Sequence, residues 1–124
     1  MEAPLVLVLS DDLMFTSRIT GTARDLGFAA KVGRTPAALE ELAKQQTPAC
    51  VLLDLGNPGL VIDELTAMLR TIAPKAYLVA YGSHVDTATL QAARTAGCNL
   101  VLPRSRFVED LPRQLSTWVA NGAN

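Results

Sequence analysis

The stretch LVLVLSDD, residues 5–12, places five branched apolar side chains before a hydroxyl and two carboxylates. An apolar run without polar alternation is typical of a strand that is buried on both faces of a parallel sheet. A helical pattern follows at once, with Phe15, Ile19 and Ala23 on one face and Gly27 at the predicted helix end. The stretch therefore predicts a βα unit with acidic side chains at the carboxyl end of its strand.

The same alternation continues along the chain. Four further predicted strands, each followed by apolar residues at helical spacing, cover residues 28–32, 49–53, 76–81 and 99–102. Thr35 and Asp86 are predicted N-caps of the second and fourth helices. The last helix is expected to begin near Asp110, because Pro112 is tolerated in a first turn, and Gly122 is expected to close it.

Five βα units in a row require a parallel sheet with helices on both faces and right-handed crossovers. For 124 residues, the flavodoxin-like (βα)5 arrangement is the economical α/β fold, with a five-stranded parallel sheet in the order 2-1-3-4-5. We predict one domain over residues 1–124, with a core from about residue 5 to about residue 119 and no room for a separate output domain.

The composition excludes several function classes. Hydrophobic residues make up 49% and charged residues 19% of the chain, which is typical of a folded domain. The formal net charge of −1 predicts no basic surface for nucleic acid or an anionic membrane. No apolar run approaches the roughly 20 residues of a membrane span, and no signal peptide is evident. Cys50 and Cys98 are expected to be small buried hydrophobes, and the domain is expected in the reducing cytoplasm.

Three carboxylates are expected to meet where strands 1 and 3 are neighbours, at the switch point of this fold. Asp11 and Asp12 follow strand 1, and Asp54 ends strand 3. Packed carboxylates repel one another unless a cation lies between them, and oxygen ligands with room for water favour Mg²⁺. A carboxylate beside such a metal is a candidate nucleophile for phosphoryl transfer. The spacing alone leaves open a plain metal site, or simple helix caps and turns.

The chain resembles, over nearly its whole length, the receiver domains of response regulators, the CheY-like phosphoacceptors of two-component signalling. The resemblance is most specific in VLLDLGNPG, residues 51–59, where proline and glycine stand four and five positions after Asp54. The acidic pair after strand 1 matches the family as well. The resemblance implies that Asp54 accepts a phosphoryl group. It also implies a Mg²⁺ site formed by Asp11, Asp12, Asp54 and the backbone carbonyl of Gly56.

Two positions depart from the pattern of the family. Receivers carry Thr or Ser at the end of strand 4, and this slot falls on Gly82, which has no hydroxyl. Ser83 takes the slot if the register slips by one residue. Receivers also carry Lys after strand 5, and a gapless register puts Arg104 there. Pairing Pro103 with the proline of the family instead leaves Leu102 in the Lys slot.

Other side chains have simpler interpretations. The aromatic residue that receivers carry on strand 5 is missing, because Val101 or Asn99 falls there. His84 has no nucleophile or metal companion and is expected to lie on a surface loop. Phe107 and Trp118 are expected to pack in the core, or else to contribute to a partner surface.

Two function hypotheses follow. The leading hypothesis is a stand-alone receiver that takes a phosphoryl group on Asp54, with Mg²⁺, from a histidine kinase or phosphotransfer protein and signals to a downstream protein. It predicts no enzyme activity beyond self-phosphotransfer and self-dephosphorylation. The alternative is a pseudo-receiver that keeps the fold and binds protein partners without phosphorylation. The register around Gly82, Ser83 and Arg104 distinguishes the two.

Overall fold

Strands and helices alternate strictly along residues 2–123, which are the part of the chain that the computed structural model describes. The elements are β1 Leu5–Leu9, α1 Leu13–Asp25, β2 Ala29–Gly33, α2 Pro36–Gln45, β3 Cys50–Asp54, α3 Ile62–Ile72, β4 Tyr77–Gly82, α4 Thr87–Ala96, β5 Leu100–Pro103 and α5 Arg104–Gly122. All neighbouring strands are parallel, and their order is β2-β1-β3-β4-β5. The predicted flavodoxin-like topology is confirmed.

The sheet is buried on both faces, as its apolar strands predict. The leucines of β1 pack with α2, α3 and α4, whereas Val6 and Val8 pack with α1 and α5. Successive side chains of a strand point to opposite faces. Ser10 is two residues beyond Val8 and therefore lies on the α1/α5 face. Asp54 is two residues beyond Leu52 in β3 and lies on the same face.

Four helix ends lie where the predicted capping residues and glycines place them. The side chains of Thr35 and Asp86 each accept a hydrogen bond from the backbone N–H three residues further on, and so cap α2 and α4. Gly27 and Gly97 follow the ends of α1 and α4 with φ angles of 91° and 103°. These angles are open to glycine and strained for other residues, so both glycines stop their helices as predicted.

The last helix is longer than predicted. It begins at Arg104, directly after β5, and not near Asp110. The prediction was wrong because Pro112 lies inside the helix, where it removes a backbone hydrogen bond. Burial of Phe107 and Leu111 against the sheet offsets that cost. The early start brings Arg104 to the carboxyl edge of the sheet.

Gly122 has a different role from the predicted one. It is the last residue of α5 and not the residue that follows the helix, and its φ is not positive. A Cβ at this position would overlap the carbonyl oxygen of Ala49 and lie 2.8 Å from the nitrogen of Tyr77. Glycine is therefore needed here for the close approach of α5 to the starts of β3 and β4.

Within residues 2–123, the helices are all too short or too polar to cross a membrane.

Candidate functional site

Asp54 ends β3 at the carboxyl edge of the sheet, and two donors hold its carboxylate. The Ser10 hydroxyl donates to Oδ2 at 2.7 Å, and the Gly56 N–H donates to Oδ1 at 2.9 Å. Ser10 lies beside Asp54 because Leu9 pairs with Leu53 in the sheet, and Ser10 is fully buried. The β1 side chain that contacts Asp54 is thus a hydroxyl and not a carboxylate.

Asp12 has two partners of its own. Its Oδ1 accepts from the Phe15 N–H at 3.1 Å and caps α1, as the simpler interpretation of this residue predicted. Its Oδ2 accepts from Nη2 of Arg104 at 3.3 Å. The Arg104 guanidinium carbon also lies 4.3 Å from the centre of the Phe15 ring, a favourable cation–π geometry. Asp12 is therefore tied to the start of α5.

The structure does not bring Asp11, Asp12 and Asp54 together in one cluster. Within residues 2–123, no group of three or more His, Cys, Asp or Glu side chains is placed to hold a metal ion. Asp11 is exposed, and its neighbour Ser10 takes the position beside Asp54. Ser10 is not among the predicted site residues, although the alternation of β1 continues to residue 10 and places this side chain on the same face as Asp54.

A crevice of about 740 Å³ opens at this edge of the sheet, between the end of β3 and the start of α5. Asp54, Gly82, Ser83 and Arg104 all line it, so four of the predicted site residues share one opening. Gly56 also lines it, whereas Asp11 and Asp12 do not. The crevice therefore joins the predicted acceptor to the two predicted phosphate-contacting positions, without the acidic pair.

The end of β4 offers no serine or threonine hydroxyl within the strand. Gly82 is the last residue of β4 and pairs with Pro103, and Ser83 follows in the loop. A Cβ at Gly82 would lie 3.3 Å from Cβ of Leu55, so a larger residue there requires Leu55 to move. The Ser83 hydroxyl accepts a long hydrogen bond of 3.4 Å from the Val85 N–H. The hydroxyl at the crevice thus belongs to an exposed loop.

The aromatic side chains near the site come from β4 and the helices. Tyr81 pairs with Asp54 across β3 and β4 and is fully buried. Its ring stacks on Phe107 with centroids 4.2 Å apart and meets Phe15 edge-on at 5.4 Å. Phe107 in turn stacks on Trp118 at 6.0 Å. Phe107 and Trp118 are both buried, which confirms the core interpretation of these two residues.

The other residues considered from the sequence lie in the core, at a strand start or on a surface loop. Val101 is buried on the opposite face of the sheet. Asn99 accepts from the Leu78 N–H at 2.8 Å and so fastens the start of β5 to β4. His84 lies in an exposed loop, as expected. Both cysteines are free, with Cys50 buried and Cys98 half-buried.

Tyr81 carries an energetic penalty that a substitution can remove. Its hydroxyl is buried and makes no hydrogen bond of good geometry among the described residues. A buried unpaired hydroxyl costs about 1–3 kcal/mol. Burial raises the pKa of the phenol, and the charge of Asp54 raises it further, although the Ser10 hydroxyl lies near enough to offset part of this rise. The folded chain therefore favours the neutral phenol. Stability is unaffected by this group below the ordinary pKa of about 10 and falls as the pH rises above it.

We expect Tyr81→Phe to raise the free energy of unfolding by about 1 kcal/mol at neutral pH. The advantage over the wild type should grow above about pH 10, because the unfolded wild type alone gains from ionising this phenol. Urea unfolding at neutral and alkaline pH measures both effects, with Tyr77→Phe, at a half-buried position, as the matched control. A less stable Tyr81→Phe would show that the hydroxyl has a partner.

Solved structures similar to this one are receiver domains. One is a CheY-like receiver domain protein from Methanospirillum hungatei JF-1, with a TM-score of 0.85 and 12% identity over 98% of each chain. Another is a Burkholderia pseudomallei response regulator with a phosphorylated aspartic acid, calcium ion and citrate, with a TM-score of 0.75 and 19% identity over 97% of this chain and 73% of that one. A third is a receiver domain from Clostridium thermocellum, with a TM-score of 0.78 and 16% identity over 96% of this chain and 93% of that one.

The chain thus has the fold of response-regulator receiver domains, as the resemblance in residues 51–59 implies. No protein-family model matches the sequence, and no curated protein does. At identities of 12–19% the likeness to solved structures concerns the fold, whereas function depends on the side chains of the site.

Proposed function

We propose that this chain is a receiver-fold interaction module that binds protein partners without being phosphorylated. One observation carries the proposal: the side chain that contacts Asp54 from β1 is the Ser10 hydroxyl. A phosphoacceptor of this fold needs its charge neutralised by a cation, and a cation needs clustered carboxylates. Ser10 supplies a neutral donor at that point.

The Mg²⁺ ion that the resemblance implies does not fit the donor set in the structure. Each oxygen of Asp54 accepts a hydrogen bond from a protein donor, at 2.7 Å and 2.9 Å. Asp12 is paired with Arg104. One hydrogen bond leaves a lone pair free on each carboxylate oxygen, so the misfit lies in the partners themselves: a neutral hydroxyl contacts Asp54, and a guanidinium already pairs with Asp12.

The edge of the sheet around the crevice suits a protein partner. Among residues 2–123, four of the five exposed large apolar side chains follow β1, β3 or β4, and so lie at the carboxyl edge. They are Leu13, Met14, Val61 and Val85, and Met14 is 87% exposed. A protein that docks at this edge of the sheet could bury these side chains. We place the module in the cytoplasm, which suits its two free cysteines.

A second candidate is phosphoacceptance at Asp54, and the lining of the crevice favours it. Asp54, Ser83 and Arg104 share one opening of about 740 Å³. In this case the donor would be a histidine kinase or phosphotransfer protein. Asp11, Asp12, Asp54 and the Gly56 carbonyl would then have to rearrange around Mg²⁺. Arg104 would take the role of the family's lysine. The Ser83 hydroxyl would take the role of the family's strand 4 hydroxyl, which Gly82 lacks.

Intact mass after incubation with acetyl phosphate and Mg²⁺ separates the two candidates. We expect the wild type to stay unmodified while a phosphorylatable receiver domain, treated in parallel, gains one phosphate. Asp54→Asn is the matched control, because the amide keeps the size of the side chain and removes the nucleophilic oxygen. A one-phosphate gain in the wild type that Asp54→Asn abolishes would refute the proposal and establish the second candidate.

A further inference from the structure

The two carboxylates of the site are hydrogen-bonded by groups of the chain itself. The carboxylates of Asp12 and Asp54 have four oxygens, and each accepts a hydrogen bond. The donors are the Phe15 N–H, the Arg104 guanidinium, the Gly56 N–H and the Ser10 hydroxyl. One of these donors, Arg104, carries a full positive charge, and it comes from the sheet edge opposite β2. A guanidinium beside the carboxylates reduces their mutual repulsion, so a bound cation would stabilise the site less.

The guanidinium of Arg104 is held in place from two sides. Nη2 lies 3.3 Å from Oδ2 of Asp12, and the guanidinium carbon lies 4.3 Å from the centre of the Phe15 ring. Phe15 rests in turn on Tyr81, edge-on, and on Phe107, with centroids 6.2 Å apart. An exposed ion pair alone is weak. Here the side chain also lies on the Phe15 ring, which the core immobilises, so the guanidinium is held beside Asp12.

We propose that Arg104 takes the place of a divalent cation at this site, and that Arg104 and Ser10 together keep Mg²⁺ from binding. The inference rests on the proposed function in one respect, since both treat the site as one without a working metal centre. The inference assigns the exclusion of Mg²⁺ to two residues, and substitution of these residues should restore binding. Removal of the guanidinium frees an oxygen of Asp12, and a carboxylate at position 10 restores the missing charge beside Asp54.

The test is a titration with Mg²⁺ alone at constant ionic strength, in which the amide NMR shifts of residues 10–12 and 54–56 report binding. We expect no saturable shift in the wild type at millimolar Mg²⁺. Arg104→Ala should bind Mg²⁺ at least about tenfold more tightly, because a positive charge within a few ångströms has been removed. Arg106→Ala is the matched control, since Arg106 lies in the same first turn and pairs with Asp110 instead. It should behave as the wild type.

A double variant, Ser10→Asp with Arg104→Ala, sharpens the test. The new carboxylate at position 10 would lie beside Asp54 and should destabilise the fold without metal, so Mg²⁺ should raise the melting temperature of the double variant and leave that of the wild type unchanged. If the buried carboxylate prevents folding, the exposed Arg104→Ala variant still decides. Saturable binding of equal strength in the wild type and Arg104→Ala would overturn the inference. Absence of binding in every folded variant would overturn it too, because Arg104 would then exclude nothing.

The failure of this inference is distinguishable from the failure of the proposed function. The titration contains no phosphoryl donor, so it reports metal binding alone. A wild type that binds Mg²⁺ yet gains no phosphate from acetyl phosphate would overturn the inference and leave the interaction module standing. A wild type that gains phosphate on Asp54 would refute the proposed function directly.

Discussion

Phe107→Ala is expected to lower the free energy of unfolding by about 3–5 kcal/mol, the usual cost of truncating a buried aromatic ring. Phe107 is completely buried and lies between Tyr81 at 4.2 Å and Trp118 at 6.0 Å. The cavity cannot close easily, because both neighbours are rings held by the sheet and α5. Urea unfolding followed by Trp118 fluorescence measures the loss.

Phe28→Ala is the control for that loss, since Phe28 is only half-buried. It should cost roughly 1 kcal/mol, because less apolar surface is removed from contact. Phe107→Ala should also shift the amide signals of Asp12 and Arg104, because Phe107 supports the Phe15 ring under the guanidinium. Equal losses in the two variants would contradict the stacked arrangement.

Gly33→Ala is expected to destabilise the fold by about 1–3 kcal/mol, the usual cost of overpacking. Gly33 ends β2, and a Cβ there would lie 2.7 Å from the nitrogen of Leu39 and 2.9 Å from its Cα. Both atoms belong to the backbone of α2, which cannot rotate away as a side chain can. The carbonyl of Gly33 also accepts from the Ser10 N–H at 3.2 Å, so displacement of β2 should disturb Ser10.

Gly21→Ala is the matched substitution with the opposite expected sign. Gly21 lies inside α1, and a Cβ there would have no atom within 4 Å. Alanine in a helix interior gains roughly 0.5–1 kcal/mol over glycine. Thermal or urea unfolding of both variants gives the comparison. A neutral Gly33→Ala would mean that α2 moves away from β2 at little cost.

The order of elements could be predicted from the sequence because it depends on local patterns. Apolar runs specify strands that are buried on both faces, and residues such as Thr35, Asp86 and Gly97 mark helix ends through contacts within a few positions. Five βα units of this kind leave few topologies open. The placement of Asp54 at the end of β3 follows from the same local pattern.

The start of α5 could not be predicted in that way. The local rule for Pro112 put the helix start near Asp110, whereas the helix begins at Arg104. Burial of Phe107 against Tyr81 and Trp118 outweighs the hydrogen bond that Pro112 removes. Tyr81 lies in β4, outside the helix, so the balance is a property of the assembled core.

The sequence by itself determined the receiver-like topology, the strand that carries Asp54 and most helix ends, because each depends on residues close together in the chain. Only the tertiary structure decided which side chains meet at the site. The pairing of β1 with β3 puts Ser10 beside Asp54. The adjacency of the first turns of α1 and α5 brings Arg104 to Asp12 across 92 positions. Strand register and helix placement set these distances, and packing of the whole chain establishes both.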